Sequence, residues 1–232
     1  MLYIDTSNVI EIKKFKDLGL INGITTNQKI LFQDKQTDVK QAIQNILKVS
    51  SNLPVNVELT KTSGTDDDLI FEAHEYFDLS KTIVIKVPMW GDGRGLKIAK
   101  QLQKNGIPVN ITCCMSAEQA ILASILEVEY VSLFFNRIVD FWTKEKKYNP
   151  YESACKIIKA TRDFLDTNGL STQIISGSIR RPADVTYSLN NGADIVTVTP
   201  EILSKMFQHP KTDETIAEFD KAFQALSTKE HF

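Results

Sequence analysis

The sequence predicts an α/β protein built as a single-domain (β/α)8 TIM barrel with an extra C-terminal helix. Short apolar segments alternate with longer amphipathic segments along all 232 residues. This alternation predicts parallel strands joined by helices, and eight strand–helix repeats favour a closed barrel. No linker, low-complexity segment or Pro/Gly-rich hinge divides the chain, so residues 1–232 are predicted to form one domain.

Strands are predicted where short runs are rich in apolar and β-branched residues. In chain order they are Leu2–Asp5, Gly23–Thr26, Val55–Leu59, Thr82–Val87, Pro108–Thr112, Tyr130–Phe134, Thr172–Gly177 and Asp194–Val198. Helices are predicted from amphipathic spacing and from cap residues such as Ser7 or Asn8, Thr65 and Ser116. They cover residues 8–18, 37–49, 65–77, 93–104, 116–126, 149–168, 182–190 and 200–207. A last helix over residues 212–226 is expected to cover the barrel or to contact a neighbouring subunit.

The composition argues against several classes of function. Charged residues make up 24% and the net charge is −2, which gives no electrostatic reason to bind nucleic acid or a membrane surface. No apolar stretch approaches the ~20 residues that a membrane span needs, and the N-terminal segment does not have the pattern of a secretion signal. The odd number of cysteines, three, indicates reduced thiols. We therefore expect a cytoplasmic protein that binds neither nucleic acid nor a membrane surface.

Polar residues share one face of successive strands and lie near the carboxyl ends of those strands. Side chains alternate along a strand, so an entirely apolar face packs on the helices while the other face lies inside the barrel. Barrel enzymes form their active sites at the carboxyl ends of the strands. Because these polar residues share one face and one end of the strands, a catalytic centre is favoured over separate structural roles for each. The residues are Asp5, Asn27, Glu58, Lys86, Asn110, Thr112, Ser132 and Ser178.

Lys86 lies within the apolar strand IVIKVP, residues 83–88. Burying an unpaired ammonium is costly, and the simplest alternative is a lysine whose head group reaches water at the end of the strand. A buried lysine that gives up its proton can attack a carbonyl and form a Schiff base, with Asp5 and Glu58 as acid and base. We expect no metal and no cofactor, because none of the three histidines follows a strand and the cysteines lack zinc-type spacing.

Several segments resemble the transaldolase family, in the family's order and over nearly the whole chain. They are YIDTSN (3–8), GITTN (23–27), IVIKVP (83–88), VNIT (109–112) with SAEQA (116–120), YVSLFFNRI (130–138) and SGSIRRP (176–182). The similarity is to the small subfamily that includes the fructose-6-phosphate aldolases. It implies a class I, Schiff-base mechanism on a (β/α)8 barrel.

The resemblance also implies residue roles. Lys86 matches the Schiff-base lysine, Asp5 the acid/base at the C4 hydroxyl, and Glu58 with Thr112 the pair that handles a catalytic water. The dihydroxyacetone portion is expected to contact Asn27, Asn110 and Ser132. The phosphate is expected to contact Arg137, Ser178 and Arg180, and the remaining substrate-binding candidates are Phe134 and Ser176.

Two positions bear on the outcome of the reaction. Relatives that release free dihydroxyacetone tend to carry glutamine and tyrosine where this chain has Glu58 and Phe134, the residues of true transaldolases. The resemblance therefore implies transfer of a dihydroxyacetone unit from fructose 6-phosphate to erythrose 4-phosphate, a step of the pentose phosphate pathway. The alternatives are fructose-6-phosphate aldolase-type cleavage, transfer from a sulfonated ketose, and a sugar-phosphate-binding barrel without catalysis.

Four residues depart from the family pattern and are expected to alter the mouth of the site. Gln28 and Lys29 stand where Pro-Ser is usual, Trp90 where a small hydroxyl residue is common, and Asn136 where transaldolases mostly have glycine. Lys29 adds a positive charge and Trp90 adds volume. The resemblance further implies a homo-oligomer, a pentamer or a decamer, with the C-terminal helix crossing between subunits.

Overall fold

The computed structural model describes residues 1–146 and 148–227. Eight parallel strands pair in chain order and close into a barrel, which confirms the predicted (β/α)8 fold. Each predicted strand is present, with ends shifted by at most two residues. The strands are β1 (Leu2–Asp5), β2 (Ile24–Thr25), β3 (Val55–Glu58), β4 (Ile83–Pro88), β5 (Val109–Cys114), β6 (Tyr130–Phe134), β7 (Gln173–Gly177) and β8 (Ile195–Val198).

The helices surround the barrel, and the nine predicted ones are present. In order they are α1 (Val9–Asp17), α2 (Gln28–Gln33), α3 (Val39–Ser50), α4 (Asp66–Phe77), α5 (Arg94–Lys104), α6 (Ala117–Ile125), α7 (Phe135–Lys144), α8 (Pro150–Asn168), α9 (Pro182–Asn190), α10 (Pro200–Lys205) and α11 (Pro210–Ser227). Helices α2 and α7 were not predicted. In the described part of the chain, no helix has the length and apolar character that crossing a membrane requires.

Apolar side chains form two separate clusters, as the strand alternation predicts. The larger cluster lies between strands and helices and includes Ile4, Val57 and Ile85, each at most 1% exposed. The smaller cluster, called the floor below, lies inside the barrel and consists of Tyr3, Val84, Tyr130, Ile175 and Ile195.

The floor is packed tightly around Tyr3. The Tyr3 and Tyr130 hydroxyls are 3.2 Å apart and share a hydrogen bond. A Cβ atom at Gly23 would collide with the Tyr3 ring, so the packing requires glycine there. Burial raises the pKa of the Tyr3 hydroxyl well above its usual range, which keeps the phenol neutral.

Strand β5 contains a β-bulge near its carboxyl end. Ile111 pairs with Val131, whereas Cys114 pairs with Leu133, so β5 carries one residue more than β6 between these pairs. Cys113 accommodates the extra residue with a left-handed backbone, φ 62°. As a result, Cys113 contributes to the wall of the cavity at this end of the barrel.

Three carboxylates hold loops at the carboxyl ends of the strands by accepting backbone N–H groups. Asp34, which follows α2, binds the β1–α1 loop through Ser7 N at 2.8 Å. Glu72 of α4 binds the β3–α4 loop, and Asp184 of α9 binds the β7–α9 loop. Glu72 and Asp184 are 2% and 0% exposed, so the loops are anchored by buried charges.

Candidate active site

A cavity of about 760 Å³ opens at the carboxyl ends of the strands. Residues from several strands that are distant in sequence converge on it. Nine of the twelve predicted site residues line it: Asp5, Asn27, Glu58, Lys86, Ser132, Phe134, Arg137, Ser178 and Arg180.

Lys86 projects from β4 into the barrel, and its side chain is 5% exposed. Its Nζ lies 3.2 Å from Glu58 Oε2 and donates a hydrogen bond to the Thr26 carbonyl oxygen at 2.9 Å. Glu58 and Lys86 are register partners on neighbouring strands, which explains the contact. The amine is therefore held inside the cavity and does not reach bulk water.

Asp5 is the second carboxylate of the site. Its Oδ1 accepts a hydrogen bond from the Thr25 hydroxyl at 2.6 Å, and Thr25 Oγ1 lies 2.6 Å from Thr197 Oγ1. Burial raises the pKa of the Asp5 carboxyl above its ordinary value, and this effect outweighs the opposing Lys86 charge and the Thr25 hydrogen bond. Asp5 is therefore better suited to hold a proton than an exposed aspartate.

A polar chain continues across β3, β5 and β6. Ser132 Oγ donates to Asn110 Oδ1 at 2.8 Å, and Asn110 Nδ2 donates to Asn56 Oδ1 at 2.9 Å. Asn110 is fully buried and reaches the cavity through Ser132, which lines it. Thr112 is also fully buried beside the bulge, and its hydroxyl has no protein hydrogen-bond partner.

The β6–β7 side of the cavity is positively charged. Arg137 lies 5.8 Å from the centre of the Phe134 ring, and Arg180 binds the Asp140 carboxylate through two nitrogens. The Arg180 and Asp140 side chains are 51% and 55% exposed, so solvent screens this ion pair. Ser178 lines the cavity between them with a left-handed backbone, φ 59°.

Two expectations from the sequence are wrong. Ser176 does not line the cavity, because it lies on the outer face of β7, where its hydroxyl is 2.8 Å from that of Ser188 on α9. Trp90 does not fill the mouth of the site. Its side chain packs against the larger apolar cluster, and the Arg94 guanidinium carbon lies 5.3 Å from the centre of the Trp90 ring.

Helix α2 brings Gln28 and Lys29, two of the four residues that depart from the family pattern, to the cavity. Gln28 Nε2 donates to the Leu59 carbonyl oxygen at 2.5 Å, and both Gln28 and Lys29 line the cavity. Lys29 lies on the opposite side of the barrel from Arg137, because β2 and β6 are four strands apart in the closed barrel.

Sequence reasoning missed several residues that line the cavity, among them Thr25, Cys113 and Thr197. Strand alternation could have identified Thr25 and Thr197, which share the inward face with Asn27 and Ile195. Nothing in the sequence marked the bulge that turns Cys113 inward.

Within residues 1–146 and 148–227, no group of three or more His, Cys, Asp or Glu side chains could hold a metal ion. The chemistry that this arrangement allows is that of a buried amine between two carboxylates, with a cationic wall for an anion.

The fold and the site together define a (β/α)8 barrel of the enzyme type, with reactive side chains at the carboxyl ends of its strands. The family model described as "Transaldolase/Fructose-6-phosphate aldolase" matches residues 2–231. The chain therefore belongs to the transaldolase/fructose-6-phosphate aldolase family, and it is an enzyme of that family.

Similar proteins match this chain over nearly their whole length and carry the same kind of name. A "Probable transaldolase" of Brachyspira hyodysenteriae is 36% identical over 227 residues, which cover 98% of this chain and 99% of the relative. Proteins with that name from Symbiobacterium thermophilum and Lactiplantibacillus plantarum are 33% and 34% identical. These matches cover 97% and 96% of this chain, and 97% of each relative.

Proposed function

We propose that this chain is a class I transaldolase, which binds a ketose phosphate covalently through Lys86 and transfers a dihydroxyacetone unit. The observation that carries the proposal is the position of the Lys86 amine. It lies 3.2 Å from Glu58 Oε2, in a cavity that Asp5 also lines. A buried amine beside two carboxylates can exchange protons without bulk water, as Schiff-base chemistry requires.

Schiff-base formation begins with the neutral amine. Glu58 accepts a proton from the Lys86 ammonium, and the amine attacks C2 of the ketose to give a carbinolamine. Glu58 then returns the proton to the C2 hydroxyl, water leaves, and a protonated Schiff base remains. The Thr112 hydroxyl, buried without a protein partner, is able to bind this water.

Cleavage follows when Asp5 takes the proton of the C4 hydroxyl. The C4 oxygen becomes the aldehyde carbonyl, and the electrons of the C3–C4 bond move into the Schiff base to give an enamine on Lys86. The enamine carbon then attacks the acceptor aldehyde, whose oxygen takes the proton back from Asp5. The raised pKa of Asp5 suits this return, because it makes the carboxyl hold its proton until the new bond forms.

We propose transfer over release because of the residues beside the enamine. Phe134 lines the cavity and offers no hydroxyl to position water or to relay a proton to the enamine carbon. Fructose 6-phosphate alone should give little glyceraldehyde 3-phosphate beyond one turnover, and erythrose 4-phosphate should start steady turnover, as the pentose phosphate pathway requires. Phe134→Tyr should shift the balance toward free dihydroxyacetone. Equal rates with and without acceptor would instead identify an aldolase.

The terminal anion of the sugar is proposed to be phosphate, bound by Arg137, Ser178 and Arg180. Guanidinium groups and a hydroxyl suit a tetrahedral oxyanion. A sulfonate has the same shape but less negative charge. A lower KM for fructose 6-phosphate than for its 6-sulfonate analogue supports phosphate, and the reverse order supports a sulfonated donor.

The decisive experiment is chemical trapping of the intermediate. Borohydride added with fructose 6-phosphate should attach a three- or six-carbon unit to Lys86, as mapped by mass spectrometry of proteolytic peptides. Lys86→Met should abolish the adduct, while Lys29→Met, which removes the other lysine of the cavity, should retain it. An adduct on another lysine, or none with any ketose, would contradict the proposal.

We also propose that the enzyme is a cytoplasmic homo-oligomer, a pentamer or decamer. Helix α11 carries apolar side chains that are largely exposed, namely Ile216 at 53%, Phe219 at 68% and Leu226 at 66%. Exposed apolar patches commonly mark protein contacts. Light scattering should give a mass of five or ten chains for the whole protein and a smaller assembly for a chain ending at residue 209. A monomeric whole protein would contradict this proposal.

A further inference from the structure

We propose that Asn136 and Asp184 are positioning residues that hold the segment 178–181 in place for anion binding, although neither lines the cavity. This inference rests on the proposed function, because it takes Ser178 and Arg180 as groups that bind the terminal anion of the sugar. Both of these residues line the cavity and belong to the segment.

Asp184 fixes the second half of the segment. It lies in α9 and is 0% exposed. Its Oδ2 accepts the backbone N–H groups of Arg180 at 3.2 Å and Arg181 at 3.0 Å. Its Oδ1 accepts the Arg181 side chain at 3.1 and 2.7 Å, which compensates the buried negative charge.

Asn136 fixes the first half and joins it to the second. It lies in α7 and is 2% exposed. Its Nδ2 donates to the Ser178 carbonyl oxygen at 2.9 Å and to Asp184 Oδ2 at 2.7 Å. A glycine at this position, which has no side chain, could make neither bond.

The backbone at Ser178 needs this support. Its φ of 59° lies in the left-handed region, which non-glycine residues adopt at a cost in free energy. The hydrogen bond on the Ser178 carbonyl stabilises that conformation, and with it the direction of the Ser178 side chain. The same network fixes the backbone from which the Arg180 guanidinium extends.

A consequence for kinetics follows from where these bonds lie. The network is attached to the β7–α9 loop, whereas the Lys86 amine is held by β3 and the Thr26 carbonyl oxygen. Loosening the segment should therefore weaken binding of the anion and leave the chemistry at Lys86 intact. The expected effect is on KM for phosphorylated sugars and not on kcat.

The test compares Asn136→Ala and Asp184→Asn with the unmodified enzyme. Fructose 6-phosphate and fructose serve as donors, with neutral glyceraldehyde as the acceptor in both cases. Each variant should raise KM for fructose 6-phosphate about tenfold, the lower end expected when a hydrogen bond to a charged group is lost. The kcat/KM for fructose should stay within about twofold, since no contact at Lys86 changes.

Glu72→Gln is the matched control, because Glu72 is a buried carboxylate that anchors the β3–α4 loop in the same manner. It should leave the ratio of kcat/KM for fructose 6-phosphate and fructose unchanged. Circular dichroism and thermal melting confirm that each variant folds, and Asn136→Ala keeps the test open if Asp184→Asn does not fold, since alanine favours helix.

Binding of inorganic phosphate separates this inference from the proposed function. Titration calorimetry should give a phosphate Kd about tenfold higher for both variants, the effect expected when one charge-assisted hydrogen bond is lost. Weaker phosphate binding in an enzyme that turns over no ketose would refute the function and retain the inference. An unchanged phosphate Kd, equal losses for both donors, or no phosphate binding by the unmodified protein would overturn the inference.

Discussion

The two ends of the barrel interior differ in chemistry although the same strands build both. At the amino-terminal end lies the apolar floor. Two residues further along each strand, the side chains that line the cavity are mostly polar. Thus Asp5 follows Tyr3, Lys86 follows Val84, and the same offset relates Tyr130 to Ser132, Ile175 to Gly177, and Ile195 to Thr197.

This offset of two residues places the reactive side chains of the cavity about 7 Å along each strand from the floor side chains that stabilise the barrel. The floor excludes water from below, so the reacting groups lie in a medium where charges interact strongly. Because of this separation, substitutions at the floor should change the free energy of unfolding, and substitutions at the cavity should change the rate. Variants at each of the two levels can test this division between stability and reactivity.

Lys86→Met should cause the largest loss. Removing a covalent nucleophile from a catalytic unit lowers kcat by roughly 10⁶-fold, measured by release of glyceraldehyde 3-phosphate with acceptor present. The single variant leaves the Glu58 charge without its lysine, so the double variant Lys86→Met/Glu58→Gln serves as the folding control. A thermal midpoint of the double variant near that of the unmodified protein would support the division. Substantial activity in the single or the double variant would contradict the catalytic role of Lys86.

Asp5→Asn should lower kcat by about 10²–10⁴-fold, the usual contribution of a general acid or base. The amide keeps the shape of the side chain but cannot take the C4 proton. Denaturant titration should show little loss of stability, because a buried charge has been removed. If the variant unfolds easily and keeps its rate, the role of Asp5 is structural.

The pH dependence should reflect the raised pKa of Asp5. Its base form is needed for cleavage, so kcat should fall about tenfold per pH unit below that pKa, which lies above the ordinary Asp value. Stability should respond in the opposite direction. A carboxyl with a raised folded pKa stabilises the fold below its unfolded pKa, and this contribution is lost as pH rises through the folded pKa. A rate limb at or below the ordinary Asp pKa would exclude Asp5 as the base.

Gly23→Ala should destabilise the floor by about 1–3 kcal/mol, the cost of overpacking a well-packed core. The new Cβ would meet the Tyr3 ring, so the ring or the strand must shift. Urea unfolding should measure the loss, and kcat for the folded fraction should be nearly unchanged. Gly91→Ala is the control, because a Cβ there meets nothing within 4 Å.

Tyr130→Phe should have the smallest effect, about 1 kcal/mol, because it leaves the buried Tyr3 hydroxyl without its partner. The double variant Tyr3→Phe/Tyr130→Phe should recover part of the loss, since both polar groups are then removed. Urea unfolding measures both. A change in kcat larger than the change in stability would show that the floor influences the chemistry directly.

Strand alternation was sufficient to predict the barrel and most of the cavity. The inward positions of Asp5, Glu58 and Lys86 followed from their apolar neighbours on the outward face, which lie in the larger cluster. The same rule, applied to β7, would have rejected Ser176, which shares its face with the buried Ile174. Its prediction as a site residue came from the motif SGSIRRP instead.

Other features left no readable signal. Helix α7 starts directly after β6, and Phe134 at its N-cap makes no side-chain capping bond, so the usual polar start residue is missing. Helix α2 is capped by Asn27 but has only six residues, too few for a periodic apolar pattern. The bulge in β5 occurs without glycine, and the left-handed Cys113 depends on contacts made across the sheet.

The buried carboxylates that anchor the loops have a consequence for how such an enzyme diversifies. Glu72 and Asp184 each belong to the helix that directly follows the loop they hold. A loop is therefore held mainly from within its own repeat, and in the β7 repeat Asn136 of the preceding helix α7 adds one contact from the neighbouring repeat. Natural drift or a directed library at residues 178–181 can thus sample new sugars within one loop, provided that Asp184 and Asn136 are retained.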